Sequence, residues 1–136
     1  MLNMTHPMKT TLYRVILPVR SIEDAARFYA HVLGQAGERV SSGRHYFDCG
    51  AILACYDPRA DGDGVEAQPN PDPVYIAVED LEAAFERARA AGPAWIEEEI
   101  ETRPWGERSF YLKDPSGNPL CFVQAGTEFT GAGRKL

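Results

Sequence analysis

One short pattern occurs twice in this chain of 136 residues. The apolar run Leu12-Tyr13-Arg14-Val15-Ile16-Leu17-Pro18-Val19 leads into Ser21-Ile22-Glu23-Asp24, and Val74-Tyr75-Ile76-Ala77-Val78 leads into Asp80-Leu81-Glu82. Laying Val19 on Val78 sets Ser21 on Asp80, Ile22 on Leu81, Glu23 on Glu82 and Ala25 on Ala84. Ser21 and Asp80 carry side-chain oxygens suited to capping a helix, and acids in a first helical turn suit the helix dipole. Caps and apolar positions therefore fall in register, as an internal duplication of one β-α-β-β-β unit requires.

Within the first unit Ile22, Ala25, Ala26, Tyr29 and Leu33 recur at helical spacing, and Gly34 supplies a stop. Short strands are expected at 44–49 and 51–56, broken at Gly50. Within the second unit Leu81, Ala84, Phe85 and Ala88 form the inward stripe of a helix through Ala91. Strands are expected near 94–101, 107–113 and 119–124. Between the units, Pro58, Pro69, Pro71 and Pro73 join Gly62, Gly64 and several aspartates. Neither a helix nor a sheet interior accepts that mixture. The expected class is α+β: two tandem β-α-β-β-β modules forming curved mixed sheets around a central cleft, helices outside. Module one covers 10–57, a connector 58–72, and module two 73–126, within one domain at 10–126. Flexible tails are expected at 1–9 and 127–136.

Charge and cysteine usage narrow the function. A formal net charge of −6 argues against a nucleic-acid partner, which would call for a basic face. Cys49, Cys55 and Cys121 are an odd number without framework spacing, and all lie in apolar runs, so reduced, packed thiols are expected. No apolar run reaches the length of a membrane span, and Met1 to Lys9 lack the apolar centre of a secretory signal. These features lead to the expectation of a cytoplasmic protein with no membrane partner.

The segment Trp105-Gly106-Glu107-Arg108-Ser109-Phe110-Tyr111-Leu112-Lys113-Asp114-Pro115-Ser116-Gly117-Asn118-Pro119-Leu120-Cys121-Phe122-Val123 reads as strand, tight turn, strand. Pro115 presets φ for the turn, Gly117 tolerates positive φ, and Asp114 and Asn118 can bond nearby backbone. Taken with Val19-Arg20-Ser21-Ile22, Phe28-Tyr29, Val32-Leu33-Gly34 and Val78-Glu79-Asp80-Leu81, it resembles the vicinal oxygen chelate superfamily. That superfamily includes glyoxalase I, extradiol dioxygenases and the fosfomycin- and bleomycin-resistance proteins. The resemblance covers residues 10 to 125, and it implies the fold without one activity.

Metal-dependent members of that superfamily hold a divalent ion through His, Gln or Glu side chains from strands of both modules. Motif spacing carries three of those positions onto Arg14, Pro73 and Cys121. Arg14 offers a permanent cation, Pro73 no donor, and Cys121 a single soft one. The resemblance therefore implies a metal-free member with no cofactor. His6 lies in the tail, His31 faces outward on a helix, and only His45 has a strand position from which to face a cleft. A relocated metal set of His45, Glu98 and Cys121 is the competing expectation, and it would make the protein a lyase or dioxygenase.

Strand alternation sets Arg14, Ile16 and Pro18 on one face and Tyr13, Val15, Leu17 and Val19 on the other, against the helix. Arg14 is expected to pair with Glu98 or Asp48, or else to hold an anionic ligand group, the internal pair being preferred. The run Glu97-Glu98-Glu99 is expected as a solvated strand edge, with an inward Glu98, sharing the face of Ile96 and Ile100, as the alternative. Trp105, Tyr56, Tyr75 and Phe47 are candidate aromatic walls, and Arg108 a second polar anchor. The expected ligand-binding set is thus Arg14, Phe47, Tyr56, Tyr75, Glu98, Trp105 and Arg108, with no catalytic residue. It would capture a small organic molecule, aromatic or antibiotic-like. The resemblance further implies a homodimer whose subunits complete each other's clefts.

Overall fold

The computed structural model describes residue 6 and residues 8–131, so the expected tails fall partly outside it. Module one runs β1 (Arg14–Pro18), α1 (Ile22–Leu33), β2 (Glu38–Ser41), β3 (Arg44–Cys49) and β4 (Ala51–Tyr56). Module two runs β5 (Val74–Val78), α2 (Leu81–Ala90), β6 (Trp95–Ile96), β7 (Glu101–Thr102), β8 (Arg108–Lys113) and β9 (Pro119–Gln124). The first sheet has the order β1-β4-β3-β2 and the second β5-β9-β8-β6, with β7 also on β8. In each module the opening strand pairs in parallel with the last one, β1 with β4 and β5 with β9, so topology repeats as the sequence does.

The caps follow the sequence. Ser21 Oγ accepts from Asp24 N at 3.2 Å and Asp80 Oδ1 from Ala83 N at 3.0 Å, satisfying donors that a helix start leaves free. Gly34 ends α1 at φ 67°, where its N–H reaches Ala30 O. In α2 the buried residues are Leu81, Ala84, Phe85 and Ala88, as expected. In α1 they are Ile22, Ala25, Phe28, Tyr29 and Val32; Ala26 and Leu33 are only half-buried. The stripe turns toward Phe28 and Val32 because α1 packs on α2 as well as on its own sheet.

Two strands depart from the sequence expectation. Glu38 to Ser41 carries no alternating apolar signal, yet it pairs with β3 through a bulge between Arg39 and Ser41. The single strand expected near 94–101 divides into β6 and β7. The Glu97 side chain bonds Tyr111 N at 2.7 Å and Arg103 at 2.6 Å, drawing the chain off the ladder.

The core is one cluster. Leu17, Val19, Phe47, Leu53 and Cys55 from the first sheet meet both helices and Phe110, Leu112, Leu120 and Phe122 from the second. Phe85 lies edge-on to Phe110, which stacks on Phe122. The turn between β8 and β9 stitches the modules. Fully buried Asp114 accepts from Ser116 N and Asn118 N, both at 2.9 Å, and from the Tyr29 hydroxyl of α1 at 2.7 Å. Asn118 Nδ2 donates to Pro18 O, and Arg20 N donates to Ser116 Oγ. The connector joins the same seam, Asn70 donating from its backbone to Asn118 Oδ1 and from its side chain to Ile16 O. Thr127 and Phe129 are bonded to module two, through Arg108 N and Glu107 Oε2, rather than beginning a free tail. Among the described residues, no helix is long and apolar enough to cross a membrane.

Candidate functional site

Each sheet carries its helix on one face and leaves the other free. On the first sheet, alternation and register set Arg14, Ile16 and Pro18 beside Ile52, Ala54 and Tyr56 and then Asp48, Tyr46 and Arg44 on the helix-free face. Arg14 is exposed there. Its guanidinium lies 4.8 Å from the Tyr13 ring centroid and 5.2 Å from that of Tyr46, and Nη2 donates to the Tyr13 hydroxyl at 3.1 Å. It makes no ion pair among the described residues, so the preferred internal pair does not form. Asp48 instead bonds Gly50 N, closing its own turn. Tyr56 holds a second stack, the Arg44 guanidinium 4.4 Å from its ring, with Asp61 3.5 Å from Arg44 Nε.

The helix-free face of the second sheet holds Tyr75, Ala77, Cys121, Val123, Ser109 and Tyr111. Here the structure assembles a polar cluster that the sequence reading passed over. Arg103 Nε donates to Ser109 Oγ at 2.9 Å, its Nη2 pairs with Glu97, and the guanidinium lies 5.1 Å from the Tyr111 ring centroid. The Tyr75 and Tyr111 hydroxyls are 3.3 Å apart. That contact, with burial, raises the Tyr111 phenol above its ordinary value. Cys121 lies beneath, 1 % exposed, and burial raises its thiol despite hydrogen bonds from Ser109 and Tyr111 and the nearby Arg103 charge. The positive charge acting on Cys121 is that of Arg103. The run of three glutamates gave the available hint, but the bend after Ile96 turns Glu97 inward and leaves Glu98 exposed.

Between the modules, beside β5 and the start of β1, runs a groove of about 430 Å³. Leu12, Val15 and Ile52 line it from one side, Tyr75, Ile76 and Ala77 from the other. Tyr75 also borders a shallower depression with Trp105, Glu107 and Phe129. Trp105 Nε1 donates to Glu107 Oε1 at 2.8 Å, and Glu107 Oε2 receives Phe129 N, so one carboxylate holds both aromatic segments.

Of the expected set only Tyr75 lines the groove. Arg14 and Tyr56 lie on the helix-free face outside its lining, Trp105 borders the shallower depression, and three others are turned away. Phe47 is 1 % exposed on the helix side, packed against Tyr29 and His45, because the register with Leu53 turns it inward. Arg108 also faces the helices, where it pairs with Glu82 of α2. Glu98 stands in the exposed bend. His45 joins Phe47 on the helix side, its Nε2 2.9 Å from Ala36 O and its Nδ1 facing Arg39 Nε. His45, Glu98 and Cys121 therefore do not converge.

Residues 11–122 match the family model of the Glyoxalase/Bleomycin resistance protein/Dioxygenase superfamily. The chain belongs to this superfamily. A glyoxalase/bleomycin resistance protein from Albidiferax ferrireducens T118 superposes with a TM-score of 0.71 at 22% identity, over 82% of this chain and 95% of that one. A glyoxalase-related enzyme from Fulvimarina pelagi gives 0.71 at 21% identity, over 92% and 95%. Lactoylglutathione lyase from Agrobacterium tumefaciens gives 0.61 at 19% identity, over 85% and 94%. At such identities the likeness is one of fold. No curated protein matches the chain.

Some glyoxalase-superfamily proteins hold a divalent ion, and the positions carried over here do not suit one. Arg14 presents a cation stacked on two tyrosines, Pro73 has no donor atom, and the Cys121 thiol is buried and held protonated. Among the described residues no three His, Cys, Asp or Glu side chains come together as a metal site.

Proposed function

We propose that this superfamily member captures a small organic molecule, aromatic or antibiotic-like, by non-covalent burial in the groove between its modules, without a metal ion. The groove itself carries the reading. Its volume is in the range of small-molecule sites, and both modules wall it with apolar side chains, Tyr75 being its aromatic member and Gln35 and Asp48 its polar ones. Burying a planar ligand against Tyr75, Ile52 and Leu12 would supply the affinity, and Arg14 and Tyr111 the polar direction. Such capture needs no bond-making, which suits a site whose thiol is protonated and whose histidine is turned away.

The reading extends to a homodimer. Ile16, Tyr75 and Trp95 on the helix-free faces, and Trp105 in the turn before β8, leave large apolar surface uncovered, the area a second copy would bury. Two measurements test the proposal together. Metal analysis of protein purified without chelators should find no stoichiometric ion, and a thermal-shift panel of aromatic small molecules should contain compounds that raise the melting temperature. A stoichiometric divalent ion, or a flat response across the panel, contradicts it. Light scattering should give twice the mass of one chain.

A further inference from the structure

The helix-free face of the first sheet treats its two stacked arginines differently. Arg44 lies over Tyr56 and has Asp61 3.5 Å from its Nε, so the chain itself answers that charge. Arg14 lies against the rings of Tyr13 and Tyr46 and has no such answer among the described residues. Among the described residues one of its five N–H donors is used, in the bond to the Tyr13 hydroxyl. The acids nearest along the sheet do not come to it. Asp48 is separated from it by Ile52 in the register and bonds Gly50 N, and Glu38 lies at the far edge opposite Tyr46.

Stacking fixes the plane of a guanidinium while leaving its edge free. That edge is the part that meets a carboxylate through two parallel hydrogen bonds. Beside it the sheet offers an apolar floor of Ile16, Ile52 and Ala54, and Ile52 is also a wall of the groove. Arg14 thus stands at the groove's margin, one residue across from its lining and on the far side of Ile52 from the groove's Asp48. A planar group bonded at one edge to Arg14 would extend over that floor toward Tyr75.

Resting on the reading of the groove as a small-molecule site, we infer that its ligand is a planar organic carboxylate whose carboxylate is held by Arg14. The protein carries a net charge of −6, so a free anion is repelled by most of its surface and gains only where a fixed cation stands unanswered. Arg14 therefore sets selectivity for the acid over its uncharged analogue.

Calorimetric titration of the full chain with 2-naphthoate, 2-naphthamide and 2-naphthyl phosphate tests this. The expected result is 2-naphthoate binding at least about tenfold more tightly than the amide, as a charge-assisted pair predicts. R14A should make acid and amide equal, and R14K should keep only part of the preference, with the circular dichroism spectrum unchanged in both. R14Q serves as the uncharged polar control should R14A fold poorly. Equal binding of acid and amide to the natural chain overturns the carboxylate inference and leaves small-molecule capture standing. Preference for the phosphate over the carboxylate also overturns it. Binding of none of the three overturns both.

Discussion

The hydroxyl of Tyr29 donates to Oδ2 of Asp114 across the boundary between modules, helix to turn, over 2.7 Å and entirely out of solvent. Asp114 also accepts from two backbone N–H groups and from Asn118 Nδ2. Tyr29→Phe deletes one charge-assisted bond and should cost about 1.5–3 kcal/mol. Asp114→Ala strands every one of those donors and should cost about 3–5 kcal/mol, the penalty for breaking a buried charged cluster. Urea denaturation measures both, and a smaller loss for Asp114→Ala than for Tyr29→Phe would refute the stitching role.

The three thiols should separate by access. Cys49 is exposed at the end of β3, whereas Cys55 and Cys121 are buried, and burial raises all three thiol pKa values. Titration with a thiol reagent at neutral pH should label one cysteine slowly in the folded protein and the other two only on unfolding. Rapid labelling of Cys121 would mean that the polar cluster above it is not closed.

Arg103→Ala removes that cover. It cuts the bonds to Ser109 and Glu97 and the stack on Tyr111, so stability should fall by about 1–3 kcal/mol. Cys121 labelling should accelerate in the same variant. A variant as stable and as protected as the natural chain would show that Arg103 merely lies on the surface.

Alkaline pH should weaken the fold through tyrosine. Tyr111 is raised by its contact with Tyr75 and by burial, and Tyr29 by burial and by Asp114. Below about pH 10 both phenols are protonated folded or unfolded, and their contribution is complete. Above that, the unfolded chain binds fewer protons than the folded one, so stability falls as pH rises. Denaturation midpoints measured upward from about pH 9 should decline, and Tyr111→Phe should make the decline shallower.

Gly37 has φ 66°, and a Cβ there would sit 2.7 Å from both Phe47 Cε1 and Tyr46 O. Gly37→Ala therefore combines backbone strain with a clash against a buried ring and should cost about 2–4 kcal/mol. A melting temperature unchanged by this substitution would contradict the placement of the turn before β2.

What could be read from residues alone was whatever local chemistry dictates. Ser21, Gly34 and Asp80 mark helix ends by their own side chains or backbone freedom, and Val74 to Val78 needs no partner to read as a strand. Glu38 to Ser41 was illegible because it becomes a strand only when β3 offers its edge. Alternation oriented Arg14 correctly, since β1 is continuous. It misled only in the alternative that turned Glu98 inward, because the ladder stops at Ile96 and the parity that alternation counts on is lost there, leaving Glu98 exposed. Arg103 escaped notice for a related reason. It is far from Cys121 in sequence, and only the excursion between β6 and β8 lays it over the sheet.

The bonds that tie the two modules gather at the Pro18 end of β1, around the turn at 114–118, while the groove opens at the Leu12 end. The molecule is bound along one side like the spine of a book. Its width at the opposite margin is then the dimension that polar ties between the modules fix least among the described residues.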